Sequence, residues 1–218
     1  MSLRPIRSFV LRQGRTTPAQ KRALEQLLPK YGLPFRPGPI SLQEVFGRTA
    51  PLVLEIGSGM GETTAAIAQA RPDADFIAVE VHAPGVGSLL NRIESAGLTN
   101  LKVVRCDAID VLESMISDAS LAAIHLFFPD PWPKKRHHKR RLVQPEFAAL
   151  AGRKLAPGGV VHAATDWADY AEHMAAVLSR EPLLQKAEAG FVHRPATKFE
   201  ARGKRLGHPI RDLYFRRR

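Results

Sequence analysis

The chain has 218 residues, 44% of them hydrophobic, which suits one ordinary domain with extensions and a sizeable core. No apolar run approaches the roughly 20 residues that a membrane-spanning helix needs. The single cysteine, Cys106, excludes an internal disulfide and a multi-cysteine metal site, and it fits a reducing cytoplasm. With 32 Lys and Arg against 21 Asp and Glu, the net charge of +11 predicts a polyanionic partner such as nucleic acid.

The N-terminal stretch is predicted to form a basic arm, residues 1–40, ahead of a single domain that covers residues 41–218. The first 24 residues contain no acid and superficially match a transit peptide. They lack an apolar signal core, and nucleic-acid contact explains the same charges, so we favour an RNA- or DNA-contacting arm.

Within this arm, Thr17 and Pro18 predict the start of a short helix that runs through Leu28 and stops at Pro29. Residues 29–40 are rich in Pro and Gly and are expected to form an irregular connector.

Beyond the arm, apolar strand-like segments alternate with helical ones. The predicted strands are 52–56, 75–80, 101–105, 121–128 and 160–164, with a final antiparallel pair near 185–193 and 210–216. The predicted helices are 62–70, 85–96, 109–116, 144–155 and 168–180, and a turn at 157–159 precedes the fifth strand. Crossovers of about 20–30 residues imply a parallel sheet with helices on both faces, which binds ligands at the carboxyl ends of its strands.

The first of these strands ends in a glycine-rich turn that contains Gly57, Gly59 and Gly61. Glycine lets the backbone take positive φ and approach a ligand closely. Dinucleotide-binding folds use a similar turn, but here the carboxylate of Glu55 precedes the first glycine by two residues and would repel a pyrophosphate. The turn therefore favours a cationic ligand such as the amino-acid part of S-adenosylmethionine.

Acids also follow the second and third strands. Glu80 is placed where two ribose hydroxyls could donate to it, and Asp107 where an adenine amino group could. The structural alternative for Asp107 is a helix N-cap. Acids after three successive strands around a glycine turn indicate a nucleoside pocket.

Residues 128–141 combine a rigid acidic turn with a basic run. Prolines on both sides of Asp130 fix the backbone, so Asp130 and Trp132 are expected on a stiff turn after the fourth strand. The pattern indicates a flat heteroaromatic ring at the strand end with a polyanion alongside. The alternatives are a rigid loop before a solvated or nuclear-localisation-like basic stretch, with Trp132 in core packing instead of on a base.

With these motifs, the chain closely resembles the bacterial tRNA (guanine-N7-)-methyltransferases. The resemblance spans nearly the whole chain, and its specific motifs are Phe127-Phe-Pro-Asp-Pro-Trp132 and Thr197-Lys-Phe-Glu200. It implies a Rossmann-like class I methyltransferase with a mostly parallel seven-stranded sheet. It also implies methyl transfer from S-adenosylmethionine to N7 of a variable-loop guanine in tRNA, in the cytoplasm, with no membrane, metal or obligatory protein partner.

The resemblance also assigns roles to residues, with Asp130 as the catalytic one. The expected cofactor-binding residues are Glu55, Gly57, Gly59, Gly61, Glu80, Asp107 and Asp130. The expected substrate-binding residues are Lys134, Asp166, Thr197, Lys198, Phe199 and Glu200. The expected RNA-contacting residues are Arg136, His137, His138, Lys139, Arg140 and Arg141.

Three alternatives stay open from the sequence. Asp130-Pro-Trp132 loosely resembles the Asp-Pro-Pro-Tyr turn of amino-group methyltransferases that act on adenine or cytosine. A nicotinamide-dependent oxidoreductase would share the glycine turn, although Glu55 and the basic charge argue against it. A non-catalytic RNA-binding protein on the same scaffold is disfavoured by the intact set of acids.

Overall fold

A seven-stranded sheet forms the centre of the molecule. The structure is a computed structural model, which describes residues 7–10 and 14–218 except for the side chains of Lys198, Phe199, Arg202 and Lys204. The strands, in the spatial order β3-β2-β1-β4-β5-β7-β6, are parallel from β3 to β5, and β7 is antiparallel to both of its neighbours. Their bounds are β1 Leu52–Ile56, β2 Asp75–Val79, β3 Leu101–Val104, β4 Leu121–Phe127, β5 Leu155–Thr165, β6 Leu184–Ala187 and β7 Arg211–Arg217.

Helices cover both faces of this sheet. In chain order they are α1 Pro18–Gln26, α2 Leu28–Tyr31, α3 Leu42–Phe46, α4 Glu62–Ala70, α5 Ala83–Ala96, α6 Ala108–Ser114, α7 Pro145–Lys154, α8 Ala168–Arg180 and α9 Lys198–Arg205, with a 3₁₀ helix at Lys135–Arg140. Among the described residues, no helix combines the length and apolarity needed to cross a bilayer. The predicted mostly parallel sheet with its antiparallel C-terminal pair is confirmed.

Two apolar clusters, one on each face, form the core. Side chains from α6, α7 and α8 pack on one face, and side chains from α1, α4 and α5 pack on the other. Along β1, alternate residues belong to different clusters, with Leu54 on the first face and Val53 on the second. Glu55 therefore shares its face with Val53, under α4.

The N-terminal helix pair differs from the expectation at Pro29. Thr17 caps α1 through a reciprocal pair of hydrogen bonds with Gln20, which explains the predicted start. The helical path does not stop at Pro29, because this residue lies in the first turn of α2, where a missing N–H costs nothing. A Cβ on Gly87 would lie 2.7 Å from the Gln20 carbonyl oxygen, so glycine permits the close packing of α1 on α5.

The fifth and sixth strands also differ from the expectation. β5 begins at Leu155. Residues 157–159, expected as a turn, lie within a bulge of this strand, where its register against β4 shifts. A Cβ on Gly159 would lie 2.7 Å from the Leu121 carbonyl oxygen, which explains glycine at this bulge. β6 ends at Ala187, because the chain then leaves the sheet edge and crosses back toward α4.

Candidate active site

A pocket of about 280 Å3 lies at the carboxyl edge of the sheet, beside the point where β1 and β4 are neighbours. The chain leaves β1 toward one side of the sheet and β4 toward the other, which is where open α/β sheets bind ligands. The pocket walls come from the ends of β1 to β4 and from the arm: Ser8, Phe9, Ile56, Gly57, Gly59, Val79, Glu80, Val81, His82, Cys106, Asp107, Ala108, Leu126, Phe127, Phe128, Pro129, Asp130 and Leu142.

The glycine turn after β1 has the conformation that the sequence predicts. Gly57, Gly59 and Gly61 have φ values of 75°, 56° and 76°, which side chains rarely tolerate. A Cβ on Gly57 or Gly59 would meet no atom within 4 Å, since both border the open pocket. Gly61 is not on the pocket wall and lies against Leu89 of α5, so here it permits close packing, and its expected cofactor contact stays a prediction.

Glu55 is buried behind this turn and not on the pocket wall. Thr64 donates a hydrogen bond to its Oε1 at 2.8 Å, while Oε2 has no hydrogen-bond partner among the described residues. Burial raises the pKa of Glu55 to about 7, although the hydrogen bond from Thr64 lowers it. Repulsion from Glu80 adds to the rise. One open acceptor on a buried carboxyl fits an ammonium group and disfavours a phosphate.

Glu80 follows β2 and organises the floor of the pocket. Its Oε2 accepts a hydrogen bond from the Gly59 N–H at 2.8 Å, and its Oε1 accepts from the N–H groups of Val81 and His82 at 2.7 and 2.9 Å. The carboxylate thus connects the glycine turn with the start of α5. Glu80 lines the pocket, and its expected contact with ribose stays a prediction.

Asp107 both caps a helix and lines the pocket, so the two alternatives posed for it are compatible. Its Oδ1 accepts from the Ile109 N–H at 3.0 Å at the start of α6. Its other oxygen forms an ion pair with Arg7 of the arm, and Arg7 also contacts Asp110 at 3.1 Å. The arm therefore supplies a cation at the third acid of the pocket.

Residues of the arm cover the pocket mouth, which the sequence did not reveal. Ser8 and Phe9 line the pocket, and the Ser8 carbonyl accepts a hydrogen bond from the Trp132 indole at 3.1 Å. Nε2 of the His82 imidazole lies 3.1 Å from the carbonyl oxygen of Val10. The one signal in the sequence was Arg7-Ser-Phe-Val10, which belongs to the family resemblance. Nothing in the composition of the arm places a basic stretch over a pocket.

Asp130 lies at the mouth of the pocket on a strained turn. Its carboxylate has no hydrogen bond or ion pair within the described part of the chain, and loss of water on the pocket side raises its pKa, against attraction to His82. Phe128 and Trp132 have φ values of 53° and 47°, in the left-handed region that costs bulky residues of order 1–3 kcal/mol. The expected stiff turn is present, and it presents an unpaired carboxylate.

Trp132 packs within the protein and is also close to the basic run. Its indole donates a hydrogen bond to the arm. The Arg140 guanidinium carbon lies 5.3 Å from the centroid of the Trp132 ring, and the centroid of the His137 ring lies 5.9 Å from it. Arg140 thus occupies part of the indole surface that a base would need. Among the described residues, no cluster of His, Cys, Asp and Glu has the arrangement of a metal site.

The basic run forms the 3₁₀ helix and presents most of its cations to solvent, but Arg141 is an exception. Only 2% of Arg141 is exposed. Its Nε donates to the Pro131 carbonyl at 2.9 Å, its Nη2 pairs with Asp169, and its guanidinium lies 4.9 Å from the Tyr170 ring centroid. These hydrogen bonds hold the acidic turn, so Arg141 has a structural role here, and its expected RNA contact stays a prediction.

The other expected substrate residues gather at the ends of β5 and α9. Asp166 follows β5, and its Oδ2 lies 3.7 Å from Nδ1 of His208. A Cβ on Gly203 of α9 would lie 3.0 Å from the Asp166 side chain. Thr197 caps α9 by accepting from the Glu200 N–H at 2.9 Å. The assignments of Lys198 and Phe199 concern side chains outside the described part of the structure.

The sheet order and the acid-lined pocket at the switch point are those of a class I methyltransferase. A family model described as "Putative methyltransferase" matches residues 49–213. The tRNA (guanine-N(7)-)-methyltransferase of Nitrosomonas eutropha is 59% identical over 97% of this chain and 96% of its own length. That of Bordetella pertussis is 56% identical over 97% of this chain and 85% of its own. The chain therefore belongs to the tRNA (guanine-N7-)-methyltransferase family.

Solved structures of distant methyltransferases share the fold. The 16S rRNA methyltransferase KamB superposes with a TM-score of 0.56 at 15% identity, covering 81% of this chain and 92% of its own. The aminoglycoside resistance methyltransferase NpmB1 gives 0.53 at 18% identity, with the same coverage. At this identity the likeness concerns the fold alone, and it agrees with the sheet described above.

Proposed function

We propose that the protein transfers the methyl group of S-adenosylmethionine to N7 of a guanine in the variable loop of tRNA, giving 7-methylguanosine. The observation that carries this proposal is the unpaired carboxylate of Asp130 between the acid-lined pocket and the cationic 3₁₀ helix. The substrate is taken from the names of full-length relatives that are 53–59% identical to this chain.

The pocket residues fit this cofactor. On the pocket wall, Glu80 is an acceptor for ribose hydroxyls and Asp107 for an adenine amino group. Behind the glycine turn, the buried and unpaired Oε2 of Glu55 is the acceptor for an ammonium group. When bound, S-adenosylmethionine supplies an electrophilic methyl group on a sulfonium. Gly57 and Gly59 leave the space for its approach, since neither carries a Cβ.

Asp130 acts by orientation and electrostatics and not as a base. Guanine N7 already has an in-plane lone pair, so no proton needs to be removed to create the nucleophile. Catalysis then consists mostly of alignment, together with stabilisation of the positive charge that develops on the purine. An unpaired carboxylate that accepts from the guanine Watson–Crick edge provides this stabilisation.

The RNA approaches along the 3₁₀ helix and α9. Exposed cations at Lys134, Arg136 and Lys139, together with the half-buried Arg140, contact phosphates, which positions the RNA without reading its sequence. His137 and His138 lie in the same run, and burial followed by repulsion from nearby cations lowers the pKa of His137. Asp166 and the segment 197–200 contact the guanine and its neighbours once the base leaves its stacked position.

The remaining assignments follow from this activity. tRNA is the partner, the protein acts in the cytoplasm, and no metal or obligatory protein partner takes part. Residues 1–40 act as a basic arm that adds RNA contacts to the methyltransferase domain of residues 41–218.

Incubation with labelled methyl donor and unmodified tRNA, followed by mass spectrometry of the digested nucleosides, tests the proposal. We expect 7-methylguanosine as the product, and loss of the label when the variable-loop guanine is replaced. Label on an exocyclic amine of adenine or cytosine would instead identify an amino-group methyltransferase. Absence of both cofactor binding and transfer would overturn the proposed function.

A further inference from the structure

Arg194 is a buried cation outside the residues considered so far. It lies in residues 188–197, here called the strap, which connects β6 with α9. Its side chain is only 6% exposed, although arginine is almost never buried without partners. A guanidinium in this position must be compensated by acids, and its partners define what it holds together.

Two carboxylates from different elements compensate this charge. Nε and Nη2 of Arg194 donate to the two oxygens of Asp212 in β7, at 3.0 and 2.9 Å. Nη1 donates to Glu200 of α9 at 2.7 Å. The guanidinium fork thus makes a bidentate pair with the sheet and a further pair with the helix, a geometry that lysine cannot reproduce.

The bidentate partner is itself fixed by the sheet. His162 in β5 is fully buried, and its Nε2 lies 2.7 Å from Oδ1 of Asp212. Burial alone would raise the pKa of Asp212, but the hydrogen bonds with His162 and Arg194 outweigh this effect and hold it below its ordinary value. Asp212 is therefore a charged anchor for Arg194.

Arg194 also contacts the pocket wall. Its guanidinium carbon lies 5.8 Å from the ring centroid of Phe127 and 5.4 Å from that of Phe128. Both rings line the pocket, and Phe128 has the positive φ that begins the turn carrying Asp130. The same side chain thus touches the acidic turn and the helix that is capped by Thr197.

We infer that Arg194 is a positioning residue, which fixes α9 and its Thr197–Glu200 segment against the turn that presents Asp130. This inference rests on the proposed function, because it assigns Arg194 to the alignment of guanine with the pocket. A strap that loses this cation leaves α9 and the turn free to separate. A misplacement of about 1 Å at a reacting centre costs on the order of 100-fold in rate.

The test compares Arg194→Ala and Arg194→Lys with Arg211→Ala as a matched control. Arg211 neighbours Asp212 on β7, but it is 42% exposed and pairs only at 3.3 Å with Glu172. The measurements are kcat and KM for tRNA, and calorimetric affinity for S-adenosylmethionine in the absence of RNA. We expect Arg194→Ala to lower kcat/KM for tRNA by about 100-fold, with cofactor affinity nearly unchanged and guanidinium ion restoring part of the rate.

Arg194→Lys keeps the charge but not the fork, so we expect a loss of about 10-fold or more, and it decides the matter if the alanine variant does not fold. Kinetics equal to those of Arg211→Ala would overturn the inference. So would an equal loss of cofactor affinity and tRNA turnover, which indicates general destabilisation. A wild-type protein without transfer to tRNA would instead sink the proposed function, so the two failures are distinguishable.

Discussion

Two carboxylates, Asp130 on the pocket wall and Glu55 behind it, show how surroundings set chemistry at the level of single residues. Burial is the first cause of the raised pKa at both Glu55 and Asp130. Glu55 is enclosed and holds one hydrogen bond, whereas Asp130 is exposed at the mouth. The same cause therefore acts on an enclosed carboxyl group at Glu55 and on an accessible one at Asp130.

Glu55→Gln should remove a pH dependence of stability. The pKa of Glu55 is raised from 4.5 to about 7 in the folded state, so protonation of its carboxyl group stabilises the fold. This stabilisation is fully present below pH 4.5 and is lost as the pH rises from there through 7. Between about pH 4.5 and 8, the free energy of unfolding of the wild type should fall by about 3 kcal/mol relative to that of the glutamine variant. Urea unfolding of both proteins measures this difference, and parallel pH profiles would contradict the raised pKa.

Asp130→Asn should separate catalysis from RNA binding. The amide keeps the size of the side chain but loses the charge, so kcat should fall by about 100-fold or more. Affinity for tRNA, measured by filter binding, should stay nearly unchanged because phosphate contacts come from other residues. Asp73→Asn, at an exposed acid paired with Arg71, is the control and should behave as wild type. Wild-type turnover in the Asp130 variant would remove this residue from the mechanism.

At the scale of elements, strand positions could be predicted to within about one residue for β1 to β4, because buried parallel strands are short apolar runs between turn signals. The extension of β5 through a bulge was not predictable, since Pro157 and Gly158 are turn residues by every local rule. The ion pairs of the strap were also hidden, because no local pattern indicates that Arg194 pairs with Glu200 of α9 and with Asp212 of β7.

The 3₁₀ helix offers adjacent arginines with different environments. Arg140→Ala should weaken tRNA binding and lower the slope of log affinity against log salt by about 1, because one phosphate contact is lost. Binding titrations over a range of salt concentrations measure this slope. An unchanged slope would mean that Arg140, which lies over Trp132, does not reach the RNA.

Arg141→Ala should instead act on stability. The variant loses the hydrogen bond to the Pro131 carbonyl and the pair with Asp169, which together hold the acidic turn. We expect a loss of about 2 kcal/mol in the free energy of unfolding, more than for Arg140→Ala. Denaturant unfolding of both variants provides the comparison. A smaller loss at Arg141 than at Arg140 would contradict the structural role.

At the scale of the whole molecule, the acids of the pocket were predictable as a set because parallel strands end at one edge of the sheet. The cations that face inward could not be predicted, since a run of basic residues has no periodicity that distinguishes Arg141 from its neighbours. Closure of the pocket by residues 7–10 was equally hidden, because it depends on pairs such as Arg7 with Asp107.

Cys106 provides a probe of this closed pocket, since it is the one cysteine of the sequence and it lines the wall. Burial raises the pKa of its thiol, so alkylation should be slow. Bound S-adenosylhomocysteine should slow it further, in proportion to the occupied fraction, and Arg7→Ala should speed it by loosening the arm. Mass spectrometry of the labelled protein measures the rates. A rate unaffected by saturating ligand would place the ligand elsewhere.

The position of β7 between β5 and β6 has a consequence for biosynthesis. β6 emerges from the ribosome before β7, yet within the described part of the chain β7 is the one strand with which it pairs. A nascent chain that ends before residue 211 therefore carries an unmatched β6 segment, and it lacks Asp212, the anchor of the buried arginine. Assembly of the sheet edge formed by β6 and β7 must wait for these residues, while β1 to β4 can form their parallel core earlier in translation.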